Sequence, residues 1–157
     1  MITRFQEEYR FLSNFYICPV TYDGVIYSSA EAAYQAQKTT TSEDRALFAE
    51  MKPDVAKQMG KAVKLRPDWA EVKQQYMQEI LRAKFVQNPQ LKEKLLGTGD
   101  QLLIEGNTWH DNEWGICQCP KCRQVKGQNL LGKILMNLRE TLRENEKAAE
   151  RKENNDH

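Results

Sequence analysis

The chain has 157 residues, 40% of them hydrophobic and 29% charged, with 23 Lys plus Arg against 22 Asp plus Glu and a formal net charge of +1. That length accommodates one soluble domain with a real core, and the near-neutral balance excludes polyanion binding through a general basic field, so phosphate recognition would need a local patch. The sequence has neither a run of some 18 apolar residues nor an apolar N-terminal stretch, which predicts a cytoplasmic protein with no membrane partner.

In chain order, "FLSNFYICPVTYDGVIY" (11–27) mixes aromatics with turn formers, and Tyr22 and Val25-Ile26-Tyr27 around Asp23-Gly24 predict a hairpin. In "YSSAEAAYQAQK" (27–38), Ser28 followed three residues later by Glu31 has the form of a capping box and predicts a helix start. Ser42 is expected to cap a second helix running to about Met51. Pro53 fits the first turn of a third, with Val55, Ala56 and Met59 apolar before Gly60. The longest amphipathic pattern runs from about Pro67 to Val86 through Trp69, Val72, Tyr76, Met77, Ile80, Leu81 and Phe85. Asn88-Pro89 ends it and opens a short helix that should stop at Gly97. Leu102 to Glu105 is a strand candidate. Asn129 is expected to cap a last helix carrying Leu131, Ile134, Leu135, Leu138 and Leu142. The expected fold is α+β and predominantly helical: one compact domain over 1–143, with a small N-terminal β element and a long loop before the last helix. Residues 144–157 are expected to be a charged, frayed or disordered tail, since they have nothing to bury. No internal repeat is found.

Between the strand candidate and the last helix, "GNTWHDNEWGICQCPKCRQVKGQ" shows little periodicity. Long connections of this kind inside compact domains are usually functional or disordered, and two tryptophans and an Asp argue against disorder. The loop is therefore expected to fold over a site.

At about 100° per residue, Glu31, Tyr34, Gln35 and Lys38 share one helix face while Ala32, Ala33 and Ala36 lie toward the other. Glu31 fits a simple capping role as well as a rigidly held acid or base. Lys38 lies roughly 10 Å further along the axis, close enough for both side chains to reach one ligand. Trp69 reads as core, whereas Trp114, in the irregular loop, is placed to stack on a base or ring. The turn at Gly127 leads into a helix start whose amide groups can bind phosphate, and Gly132 inside that helix implies close backbone approach. Cys117, Cys119 and Cys122 could ligate zinc with Cys18 or His110 as a fourth partner. Their C-x-C-x-x-C spacing is unlike paired C-x-x-C knuckles, so a metal-free loop, reduced or acting as a redox-sensitive clip, is expected. With His110 and His157 the only histidines, a Ser-His-Asp triad is not expected.

Placed in order, "FLSNF" (11–15), "YSSAEAAYQAQK" (27–38), "RPDWAEVKQQYMQEILRAKF" (66–85), "LLGTGDQLLIEG" (95–106), "DNEWG" (111–115) and "GQNLLGKILMNLR" (127–139) resemble the NADAR domain family of YbiA-like N-glycosidases. Two features depart from that pattern. "EAAYQAQK" lacks the aromatic pair that members often carry after the Glu, and the cysteine insert lengthens the loop after "WG". The resemblance implies hydrolysis of N-glycosidic bonds on a 5′-phosphorylated ribose or ADP-ribose without a cofactor. The small-molecule substrate would be a phosphoribosylamino intermediate of riboflavin synthesis or ADP-ribosylated guanine, the latter presented on DNA or RNA. In both, C1 of the sugar is attached to an exocyclic amine, so the ring can open to an imine and a lysine can take over C1 by transimination.

As the resemblance implies, Glu31 would move protons, with Lys38 as the Schiff-base amine and Lys84 as the runner-up. Asp111 would position water or sugar hydroxyls, Trp114 would stack on the base, and Asn14 and Asn129 would hydrogen-bond ribose or phosphate, with Tyr34 also lining the substrate. Two rivals stand beside the enzyme: a non-catalytic reader of ADP-ribose or NAD, which needs no acid-amine pair, and a zinc-clipped interaction domain.

Overall fold

The computed structural model describes residues 1–156; His157 lies outside the described residues. The fold is α+β and predominantly helical. Among the described residues, no helix is long and apolar enough to cross a membrane. The chain comprises two compact units, Phe11–Lys92 on the one hand and Met1–Arg10 with the chain from Glu93 onward on the other.

The Phe11–Lys92 unit opens with the expected hairpin. Strands β1 (Ile17–Tyr22) and β2 (Val25–Ser29) pair antiparallel, with Tyr22 opposite Val25 and Val20 opposite Tyr27. Both turn residues, Asp23 and Gly24, take the positive φ that a tight two-residue connection between twisted strands requires. Cys18, Val20, Tyr27 and Ser29 face inward, and Ile17 and Ile26 outward.

Helix α1 (Ala30–Ala36) follows at once, and every one of its seven residues is buried. It is held by neighbours on several sides, packing against both strands, α3 and α4. The cap differs from expectation. Ser29 is the N-cap, its hydroxyl accepting from Ala32 N–H, while Ser28 Oγ donates to the Met51 carbonyl. Two adjacent serines offer the same cap chemistry, and the hairpin register selects the second.

Helix α2 is shorter than expected. It spans Ser42–Ala46 behind a Thr41 cap and gives way to turns before Met51, because it buries none of its own residues. Helix α3 (Pro53–Ala62) starts with proline in its first turn and continues past Gly60. A β-carbon at residue 60 would stand 1.8 Å from Gln35 Oε1, so glycine is what lets α3 lie against α1. Helix α4 (Trp69–Gln87) buries Trp69, Met77, Ile80, Leu81, Lys84 and Phe85. Helix α5 (Pro89–Gly97) keeps the bounds its proline and glycine predict.

In the unit formed by Met1–Arg10 and the chain from Glu93, the strand candidate shrinks to one parallel bridge between Ile2 and Leu103. Short strands β3 (Gly106–Asn107) and β4 (Ile116–Cys117) pair in parallel a few residues later. Helix α6 (Leu130–Asn155) buries Leu131, Ile134, Leu135, Leu138, Arg139 and Leu142. It runs on well past Arg143 as an exposed helix, where a frayed tail was expected. Gly132 does mark close approach, since a β-carbon there would lie 2.1 Å from the Leu103 carbonyl oxygen.

Candidate functional site

The row on α1 is buried. Glu31, Tyr34 and Gln35 are each less than a tenth exposed, and Lys38, in the turn just after the helix, is half-buried. Glu31 Oε1 accepts from Gln35 Nε2 at 2.8 Å, and Glu31 N–H donates to the Asn14 carbonyl at 3.0 Å. The "FLSNF" segment is thereby tied to the start of α1. Asn14 is itself buried: its Nδ2 lies 3.4 Å from Met77 Sδ, and its Oδ1 has no hydrogen-bond partner. Gln35 Oε1 and Gln37 Oε1 are buried without partners as well. An unmade bond at a buried acceptor costs about 1–3 kcal/mol, so such atoms call for an explanation, and a ligand's donors are one.

An aromatic wall stands beside this row. The Trp69 ring lies between Tyr34, at 5.1 Å between centroids, and Tyr76, stacked at 6.3 Å. Lys38 Nζ sits over Trp69, 5.8 Å from its centroid, a cation–π position. Arg66 braces the far end. Its guanidinium makes a paired contact with Asp68 at 2.6 and 3.1 Å, donates to Tyr76 Oη at 2.9 Å, and reaches the Gln37 carbonyl. Arg66 N–H also donates to the Lys38 carbonyl at 3.1 Å, fixing the turn from which Lys38 projects.

Burial lowers the Lys38 ammonium below the ordinary lysine value. The Glu31 carboxylate acts in the opposite sense, and the charges of Lys61, Lys73 and Lys57 add to the lowering. Four lysines thus share one locality with one buried carboxylate. They form a local basic patch in a chain whose net charge is close to neutral.

Lys84 has a different environment. It is fully buried, with Nζ donating to the Phe11 carbonyl at 2.7 Å and the Ser13 carbonyl at 2.9 Å, over the rings of Phe85 and Tyr16. Desolvation brings it down to about 8, with Cys18 opposing. Its hydrogens hold the backbone that presents Asn14, which makes Lys84 a positioning residue of this cluster.

The remaining predicted residues belong to the other unit. Asp111 Oδ1 accepts from Trp114 N–H at 2.9 Å and Glu113 N–H at 3.1 Å, an Asx-type turn. Asn107 anchors it, with Nδ2 donating to the Asp111 carbonyl and Oδ1 accepting from Asp111 N–H. Trp114 is half-buried.

Asn129 takes the left-handed conformation at the N-cap of α6 and makes no side-chain cap bond. Its amide turns inward, donating to the Leu103 carbonyl at 2.9 Å and accepting from Glu105 N–H at 3.0 Å. The expected phosphate-binding amides at this helix start are engaged too. Gln128, Asn129, Leu130 and Leu131 donate to the carbonyls of Asn112, Gly115, Glu113 and Trp114 respectively. The helix start is thus the partner of the "DNEWG" turn, which corrects that expectation.

The structure therefore gathers Asn14, Glu31, Tyr34, Lys38 and Lys84 within one unit, and sets Asp111, Trp114 and Asn129 together in the other. Arg66, Trp69 and Tyr76, with Lys57, Lys61 and Lys73, were not anticipated as site residues. Periodicity gives the face of each helix but not which faces converge. The signal that was available is "RPDW", a helix start carrying both a guanidinium and an indole.

The comparisons with known proteins agree with one another. The model of the NADAR domain matches residues 2–143. The N-glycosidase YbiA of Escherichia coli is 37% identical over 139 residues, covering 87% of this chain and 83% of that protein. An N-glycosidase of Nostoc punctiforme is 37% identical over 143 residues, covering 87% and 88%. A riboflavin biosynthesis protein of Vibrio vulnificus is 37% identical over 144 residues, which are 88% of this chain and 37% of the larger protein. The NMR structure of Escherichia coli YbiA superimposes with a TM-score of 0.77 at 34% identity, covering 93% of this chain and 89% of that one.

Proposed function

Because this chain belongs to the NADAR domain family, we propose that it is an N-glycosidase releasing an amine-linked base from C1 of a 5′-phosphorylated ribose or ADP-ribose through a Schiff base on Lys38. The observation that carries this reading is the half-buried Lys38 amine, which lies over the Trp69 indole and feels the charges of buried Glu31 and of three further lysines. A nucleophilic amine must be partly neutral, which desolvation and neighbouring cations both favour.

In the proposed sequence the sugar ring opens, leaving C1 doubly bonded to the exocyclic nitrogen of the base and the ring oxygen protonated. Lys38 passes its ammonium proton to the Glu31 carboxylate and, now neutral, adds to C1. Glu31 delivers a proton to the base nitrogen, the C1–N bond to the base breaks, and an imine to Lys38 remains. Water then adds to that imine with Glu31 taking its proton, and the aldehyde sugar and free Lys38 are released. The balance is one water consumed, one base amine and one sugar phosphate formed. The lysine patch would hold the phosphate, and the unpartnered Asn14 Oδ1 would accept from a sugar hydroxyl.

Two substrates fit this chemistry, ADP-ribosylated guanine and a phosphoribosylaminopyrimidine, and supplying both side by side tests the class. Borohydride added during turnover should reduce the imine and leave the sugar on a Lys38 peptide. An adduct on Lys84, or turnover of either substrate with no adduct under any condition, would remove Lys38 from the mechanism. Tight ADP-ribose binding without release of base from either substrate would favour a non-catalytic reader.

A further inference from the structure

The loop from His110 to Cys122 gathers four side chains whose ligand atoms all lie within 4.8 Å of one another: His110, Cys117, Cys119 and Cys122. They arrive from different local structures. His110 stands at φ +69° before the Asx turn, Cys117 on β4, and Cys119 and Cys122 at the ends of the Cys119-Pro120-Lys121-Cys122 turn, where Cys122 N–H donates to the Cys119 carbonyl. His110 Nδ1 lies 3.3 Å from Cys122 Sγ, 3.4 Å from Cys119 Sγ and 3.8 Å from Cys117 Sγ.

Hydrogen bonding alone does not account for that convergence. A ring nitrogen offers one proton or one lone pair, so it can serve one sulfur well and not three. Metal coordination does account for it. With Zn–S near 2.3 Å and Zn–N near 2.0–2.1 Å, a regular tetrahedron places its nitrogen about 3.6 Å from each sulfur, and the three observed distances bracket that value. We propose that His110, Cys117, Cys119 and Cys122 form a structural Cys3His zinc site, closed to substrate by its full set of four protein ligands.

On binding, the three thiols each release a proton to solvent and neutral His110 gives its Nδ1 lone pair, so the site carries a net charge of −1. The cross-link spans Asp111 to Ile116, and Asn112 Oδ1 accepts from Cys117 N–H at 2.9 Å, so the metal would fix the same turn that holds Asp111 and Trp114. This reverses the expectation of a metal-free loop. His110 is one of the two fourth partners that the sequence offers; the C-x-C-x-x-C spacing weighs against metal because it does not show that the left-handed backbone at His110 turns its ring onto the three sulfurs. Cys18, the other candidate, lies on β1. The inference is independent of the proposed glycosidase mechanism.

Elemental analysis and native mass spectrometry of the full chain, made without a histidine tag, should find one zinc per molecule. The metal-free protein refilled with cobalt(II) should show thiolate-to-metal charge transfer and the strong visible bands of a tetrahedral site. Cys18→Ser should keep the zinc, Cys119→Ser and His110→Ala should lose stoichiometric binding, and chelation should lower the Tm of the wild type. Protein from zinc-supplemented cells that holds no stoichiometric metal, a weak octahedral cobalt spectrum, or a disulfide among the three loop cysteines would each overturn the proposal. The cobalt spectrum is read on the unaltered chain, so it decides even if the variants fail to fold.

Discussion

The α1 cluster and the 110–129 loop hold polar groups in opposite ways. On α1 the backbone is regular, and polar side chains are buried by the close approach of α3, α4 and the hairpin; acceptors on Asn14, Gln35 and Gln37 are left without partners. In the loop the backbone is irregular, and side chains such as those of Asn107, Asp111 and Asn112 serve the loop's own N–H and C=O groups. The first arrangement buries acceptors that the protein itself leaves unpaired, and the second uses its polar atoms to hold shape. Substitutions of Glu31 and Lys38 should therefore change rate with little change in stability, whereas substitutions in the loop, and of Lys84, whose ammonium donates to backbone carbonyls, should change stability.

The largest effect is expected from Lys38→Arg. It keeps the cation over Trp69 but supplies no nucleophile at neutral pH, so turnover should fall on the order of 10⁴-fold or more while thermal unfolding hardly moves. In the wild type, kcat/KM should rise with pH through a pKa below 10.5, because burial and the neighbouring lysines lower the ammonium. A rate that is flat with pH, or an active Lys38→Arg, would break the assignment.

Glu31→Gln comes next. The amide oxygen can still accept from Gln35 Nε2, so the fold should persist, while loss of proton transfer should reduce turnover by about 10²–10⁴. Equal rates for the two proteins would leave Glu31 a packing residue.

Lys84→Met should act on stability. It orphans the Phe11 and Ser13 carbonyls, at about 1–3 kcal/mol for each buried acceptor. Between about pH 8 and 10.5 the unfolded chain holds a proton on Lys84 that the folded chain lacks. Wild-type stability should therefore rise with pH across that window and be lower below it. A neutral Lys84 still donates to both carbonyls, so the gap between wild type and variant should be widest at the alkaline end. Denaturant unfolding at a series of pH values reads both quantities, and parallel curves would refute the buried-titration account.

How much of this was legible follows from the same contrast. The Asp23-Gly24 turn, Pro53, the Asn88-Pro89 break and the stripe from Met77 to Phe85 were readable because turn chemistry and helical periodicity act locally. The Glu31 to Lys38 row was readable as a face, but its burial was not, since that depends on Gly60 admitting α3 against Gln35. Nor could the sequence place Lys57, Lys61 and Lys73 around Lys38, because they come from two other helices. The choice of Ser29 over Ser28 as the cap rests on hairpin register. In the loop, "DNEWG" drew attention through its residue types. Its carbonyls accept from the N–H groups at the start of α6, and such backbone groups carry no sequence signature.

The smallest expected effect is the one that discriminates best, and it concerns Asp111. Its Oδ1 accepts from two backbone N–H groups, and the family resemblance also implies that it positions water or sugar hydroxyls. Asp111→Ala removes both roles and should cost about 0.5–2 kcal/mol, as loss of a helix-capping acceptor does. Its effect on rate alone cannot tell which role was lost. Asp111→Asn separates them, because the amide oxygen can accept from Glu113 and Trp114 in the same geometry while the negative charge is gone. If Asp111 only shapes the turn, Asp111→Asn should match the wild type in both Tm and kcat/KM. If the carboxylate also acts on substrate, Tm should hold while kcat/KM falls, and the loop would then share the property that otherwise distinguishes the α1 cluster.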